Sequence, residues 1–197
     1  MQADVYTHQL LDRLIPEVNK SLGSSLISPH QCSVQKSSLS FYQNFRLCTL
    51  FDSSYIPLVK YNLLDNGKNA IYLDGSFQAW KDANQIEPPK ISLSNILEYT
   101  KLVISTTSSN KMKCNITTSI EDIDFSKMPT DDMLQRIESA IKPPVISFKD
   151  NVYSILTCLL ENNILYDSLI TIQPNGDLEI VDKNFLLNDI PTDNPTW

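Results

Sequence analysis

Residues Val152–Pro191 read VYSILTCLLENNILYDSLITIQPNGDLEIVDKNFLLNDIP, and this stretch decides the fold. Val152–Glu161 is a nearly unbroken apolar run, bounded by Asn151 on one side and by Asn162 with Asn163 on the other. A run of that length, rich in Val, Ile, Leu and Tyr, fits a strand better than a helix. In Asp167–Gln173 the alternation puts Ser168, Ile170 and Ile172 on one face and Leu169 and Thr171 on the other. Pro174-Asn175-Gly176 then reverses the chain, because proline presets φ and Asn-Gly tolerates a positive φ. Asp177–Asp182 returns with Leu178 and Ile180 two residues apart. Strands joined by so short a turn pair antiparallel.

Upstream of this stretch, Val145–Lys149 reads as a short strand and Asp150-Asn151 as a turn. Pro129-Thr130-Asp131-Asp132 opens a helix, with Thr130 as its cap and the aspartates at the positive end of the dipole. Met133, Leu134, Ile137 and Ile141 form its apolar face, and Pro143-Pro144 stops it. Cys114–Ile123 is expected as a strand and Thr106–Lys113 as a polar loop. Before them a helix capped by Ser92 or Ser94 carries the stripe Leu93, Ile96, Leu97, Thr100, Val103 and Ile104.

In the first half, Phe41–Phe51 and Tyr55–Leu64 are strand-prone, and Asp65-Asn66-Gly67-Lys68 turns the chain into Ala70–Leu73. Phe77 and Trp80, three apart, predict one or two helical turns. Asp4 can cap a first helix, whose stripe is Leu10, Leu11, Leu14, Ile15 and Val18; Pro16 predicts a kink or break. Ser21–Ser40 holds eight serines in twenty residues and reads as a linker. Strands come in runs joined by short turns, which predicts an α+β fold: a mainly antiparallel sheet with about three helices on one face. The expected domains are 1–40, a helical appendage with a serine-rich linker, and 41–197, a single α+β domain. For the first helix, packing on the core is preferred to serving a partner.

Composition narrows the function classes. The net charge is −7 and no Lys/Arg cluster occurs, which argues against a nucleic-acid partner. No run approaches the ~18 apolar residues of a membrane span, and MQADVYTHQLLDRL lacks the look of a signal peptide. A cytoplasmic location with no membrane partner is therefore expected. Cys32, Cys48, Cys114 and Cys158 form no C-x-x-C and read as reduced thiols. His30 and Cys32 could make an activated thiolate, but they sit two residues apart with no third orienting group. Two histidines are too few for a convincing zinc site. Glu121, Asp122, Asp124, Asp131 and Asp132 lack the glycine of a calcium loop and read as solvated carboxylates. Only four glycines occur, and no phosphate-cradling or hydrolase motif is present. Neither a cofactor nor a metal is expected, and an enzyme is the less favoured class. Tyr72, Trp80 and Tyr99 are the candidates for lining a small-ligand pocket between sheet and helices.

Ile71–Asn84 (IYLDGSFQAWKDAN), Asn95–Leu102 (NILEYTKL) and Leu165–Pro191 together resemble a family of uncharacterised bacterial proteins, mainly alphaproteobacterial. Leu169, Gly176, Asp182, Leu186, Leu187, Asp189, Ile190 and Pro191 stand where that family's terminal hairpin features fall. After Tyr99, Leu102 and Val103 replace an aromatic pair, and a Thr/Ser-rich loop replaces a charged segment. The resemblance covers about residues 55–191, implies no activity, and suggests that residues 1–40 are appended. The leading expectation is a non-enzymatic interaction domain that presents its sheet to a protein partner or to its own copy, as a homodimer. A small-ligand domain and a Cys32/His30 enzyme are the alternatives.

Overall fold

The computed structural model describes residues 2–23, 27–107 and 113–192, with side chains from residue 8 onward. The side chain of Asp4, part of the serine-rich stretch and residues 108–112 of the expected polar loop lie outside the described residues. The chain divides into two compact units, Met1–Pro88 and Pro89–Trp197. Each contains an antiparallel sheet, one of four strands and one of five, so the fold is α+β. Four α-helices occur among the described residues.

In the first unit, helix α1 (Gln2–Leu22) precedes strands β1 (Cys32–Ser38), β2 (Arg46–Asp52), β3 (Val59–Asp65) and β4 (Ala70–Tyr72), which pair in sequence order. Helix α2 (Phe77–Ile86) follows. The stripe of α1 packs on one sheet face: Leu10, Leu11, Leu14, Ile15 and Val18 join Cys48, Leu50 and Leu63 in one core cluster. Each such side chain contributes roughly 1.5–3 kcal/mol on burial, so residues 1–40 lie inside this unit and α1 is part of its core. The helix continues through Pro16, which is exposed, so the lost bond to the Asp12 carbonyl falls on the solvent side. The serine-rich stretch supplies β1, an edge strand whose Ser33, Gln35 and Ser37 face water while Val34 packs inward. Its pairing with β2, from Cys32↔Asp52 to Ser38↔Arg46, explains why so polar a segment is a strand.

Two buried carboxylates sit at the ends of the α1-facing side. Asp65 accepts from Arg13 of α1 (Nη2 to Oδ2, 2.8 Å), with Lys36 of β1 3.6 Å away. Asp52 holds Ser54 through its amide (2.9 Å) and hydroxyl (2.6 Å). At the end of α2, Glu87 accepts backbone N–H bonds from Gln43, Asn44 and Phe45, and Tyr42 donates to Asn84.

In the second unit, α3 (Ile96–Thr106) leads to β5 (Cys114–Thr117), and α4 (Asp131–Ala140) to β6 (Val145–Lys149), β7 (Val152–Glu161), β8 (Ile164–Ile172) and β9 (Leu178–Leu187). Neither Ser92 nor Ser94 caps α3; a turn in which Ser92 N–H donates to Asn95 Oδ1 (2.8 Å) leads into it. Thr130 does cap α4, its hydroxyl oxygen accepting from the Met133 amide. The strand expected over Cys114–Ile123 ends at Thr117, because Ile120–Asp122 turns into a short 3-10 helix. Along one edge of β7, β6 pairs with residues 152–156 and β5 with residues 158–161. On the other side β8 pairs along its whole length, and β9 closes the sheet. The turn residues Asp150, Asn151 and Asn162 all take positive φ, as tight hairpins require. The final turn is closed by Gly176 N–H to Gln173 O and Gln173 N–H to Asp177 O, both 2.8 Å.

Candidate functional site

The register of the second sheet sorts its side chains into two faces. Ile155, Leu159, Ile170 and Ile172 share one face and are completely buried. At its centre Thr157 lies opposite Ser168; both are buried, and neither hydroxyl has a hydrogen-bond partner among the described residues. The other face is split. Over one half, Ile137 of α4 packs with Cys158, Leu160, Leu165, Leu187 and Ile190. The chain after β9 closes that half: Ile190 N–H donates to Asn163 O (3.1 Å) and Ser126 N–H to Pro191 O (2.9 Å).

The second half of this face is open. The cap at Thr130 and the proline pair after Ile141 limit α4 to ten residues, and its end lies over Cys158, whose thiol is 3.7 Å from Ala140 O. Beyond it Val145, Leu156 and Leu169 stand side by side on β6, β7 and β8. On β9 a bulge sets Val181 next to Asp182, the register partner of Leu169. Val145, Leu156 and Val181 are 63, 44 and 53% exposed, so four neighbouring strands carry one apolar row into solvent. A polar row, Ser147–Ser154–Thr171–Glu179, runs beside it.

The charge around this row is acidic. Glu179 and Asp182 lie on the open half, Asp167 lies opposite Cys158 at its border with α4, and none of the three forms an ion pair among the described residues. Asp182 accepts a bond from Asn184 (3.0 Å). The neighbouring Lys183 is committed to the opposite face, where it pairs with Glu161 (2.7 Å) and sits over the Tyr166 ring. The Glu161 carboxylate raises its pKa. A groove of about 440 Å³ lies on the flank of α4, lined by Gln135, Arg136, Ser139, Ala140, Leu186 and Leu187.

The aromatic candidates fall in different units. Tyr72 is half-buried on β4 and meets Tyr61 edge-on at 6.1 Å, packed against the α1 cluster. Trp80 is buried on α2. Tyr99 belongs to the second unit, is fully buried, and donates its hydroxyl proton to Gly176 O (2.7 Å). Both Trp80 and Tyr99 thus have core roles, and Tyr99 ties α3 to the last hairpin turn.

The thiol chemistry is unfavourable. Burial, and then the Asp52 charge opposite it, push the Cys32 thiol up, away from the thiolate. Burial raises Cys48 and Cys114 to about 11. His30 lies in a single 3-10 turn before Cys32. In the acidic cluster Asp122 is structural: burial pulls its carboxyl up, but bonds from Thr118 and Lys101 outweigh this and hold it low. No group of three metal-ligating side chains occurs among the described residues, and no helix among them is long and apolar enough to cross a membrane.

Only part of the row was readable in advance. The alternation places Leu169 on the face opposite Ser168, Ile170 and Ile172, but nothing in the sequence signals the bulge at Val181 or where α4 ends. No protein-family model, no curated protein and no solved structure matches this chain.

Proposed function

We propose that the chain is a non-enzymatic interaction domain whose contact surface is the open half of the second sheet. The observation that carries this reading is the row Val145, Leu156, Leu169 and Val181, three of them exposed and Leu169 half-buried, crossing four strands beside a half-face already covered by α4. Isolated exposed apolar residues are ordinary on protein surfaces; a contiguous row on the open face of a sheet is a place for another chain to bind. The raised thiol of Cys32 adds to the case against a Cys/His enzyme, and the core roles of Trp80 and Tyr99 leave Tyr72 as the most accessible member of the aromatic set.

Light scattering over a concentration series, together with binding of an apolar fluorescent dye, tests the reading. The protein as it stands should bind the dye or show a mass that rises with concentration, and Leu156→Lys should reduce whichever is seen. A strict monomer that binds no dye, indistinguishable from Leu156→Lys, would remove the proposal.

A further inference from the structure

We infer that the occupant of the open half-face is a basic amphipathic helix of a partner protein, about three turns long. This rests on the interaction reading above and commits it to one partner chemistry. Four side chains on adjacent strands, at about 4.8 Å per strand, span roughly 14 Å. That matches about ten residues of helix at 1.5 Å rise, so apolar residues at i, i+3 or i+4, and i+7 meet the row. The row crosses a face and reaches the sheet's edges, β6 and β9, with one residue each, so a strand adding at an edge would leave most of it uncovered. The neighbouring half of the same face is already covered by a helix, α4, through Ile137 with Met133 and Ile141.

The charge of the face favours a basic partner: Asp182 stands in the row beside Val181, Glu179 lies across from Thr171, and Asp167 lies opposite Cys158 at the border with α4. At the border with α4 the charge of Lys142 reaches Cys158 and offsets Asp167, so the open half itself sets Glu179 and Asp182 against Lys149, which lies opposite Val152 at the β6 edge and 4.0 Å from Asp150. A second copy of this chain, net charge −7, brings like charge to like. A helix with Lys or Arg flanking its apolar stripe instead satisfies the carboxylates that have no ion pair.

The test uses the full chain and fluorescence anisotropy. The probe is a labelled peptide of about 14 residues, with Leu at helical spacing and Lys elsewhere; a counter-probe carries Glu in place of every Lys. The Lys probe should bind and the Glu probe should not. Glu179→Gln with Asp182→Asn should weaken the Lys probe about twofold to thirtyfold, the range for two exposed ion pairs. Asp131→Asn with Asp132→Asn, at the start of α4, should leave it unchanged, and Leu156→Lys should abolish it. Equal weakening by both pairs of variants would show attraction to any acidic surface and overturn the inference, as would equal binding of the two probes. A dimer of the chain alone that Leu156→Lys dissolves would also overturn it, making the occupant a second copy while the interaction reading stands. Failure of both probes, with no dye binding and no self-association, would remove both.

Discussion

Arg13→Ala should destabilise the first unit more than Asp65→Ala, although Arg13 is the more exposed partner. The Asp65 side chain has no exposed surface, while that of Arg13 is 37% exposed. Arg13 bridges two parts of the sheet: Nη2 donates to Asp65 Oδ2 at 2.8 Å and Nη1 to Gly67 O at 3.0 Å. Without it the carboxylate keeps Lys36 at 3.6 Å and the Gly67 amide at 3.3 Å. Stranding a buried charge costs about 3–5 kcal/mol. Water entering the vacated, partly exposed position lowers this to about 2–3 kcal/mol. Asp65→Ala removes the buried charge itself and lets both cations turn to solvent, so about 1–2 kcal/mol is expected. The double variant should cost less than the sum of the two, because the sites are in contact. Urea unfolding measures this, with fluorescence of the buried Trp80 as reporter in a Trp197→Phe background. If Arg13→Ala changes stability by less than about 0.5 kcal/mol, or costs less than Asp65→Ala, the account of α1 as a core element tied through this pair fails.

Tyr99→Phe should destabilise the second unit by about 1–2 kcal/mol, since it leaves the Gly176 carbonyl without its buried donor; chemical denaturation followed by circular dichroism reads this. Thr130→Ala should cost about 1 kcal/mol by removing the cap of α4, and Thr130→Ser should restore most of it. Cys48 and Cys114 keep their protons in the folded state up to about 11, against 9.0 for the ordinary thiol. Between those pH values the unfolded chain binds fewer protons than the folded one, so stability is full below pH 9.0 and falls as pH rises towards 11; unfolding midpoints across that window check the sign. Under native conditions at pH 8 a thiol reagent should label Cys32 first, because the other three are buried, and all four should react in denaturant.

The strands of the second sheet were legible because alternation, asparagine turns and Pro174-Asn175-Gly176 agree with one another. Ser168, Ile170 and Ile172 are indeed the buried side of β8. Strand β1 was not legible: only Val34 and the half-buried Cys32 carry an inward apolar signal, and its pairing with β2 outweighs the serines. Pro16 reads as a breaker but costs one bond on the wet side of α1, too little to undo five buried side chains. The division into two sheets was hidden because alternation defines strands, not partners. The candidate surface was hidden for a related reason. It exists because α4 ends over Cys158 and because β9 bulges at Val181, and both are tertiary outcomes.

The unfolding free energy of Leu156→Lys, set against Ile155→Lys, tests the open half-face most directly. The two residues are neighbours on β7, one 44% and the other 0% exposed. If the face is open, the lysine stem at 156 covers the same sheet surface while its ammonium reaches water, and the change stays within about 1 kcal/mol. Ile155→Lys should then cost more than about 3 kcal/mol or unfold the chain. Equal, large losses at both positions would mean that Leu156 is covered within the fold, and the proposed contact surface would not exist.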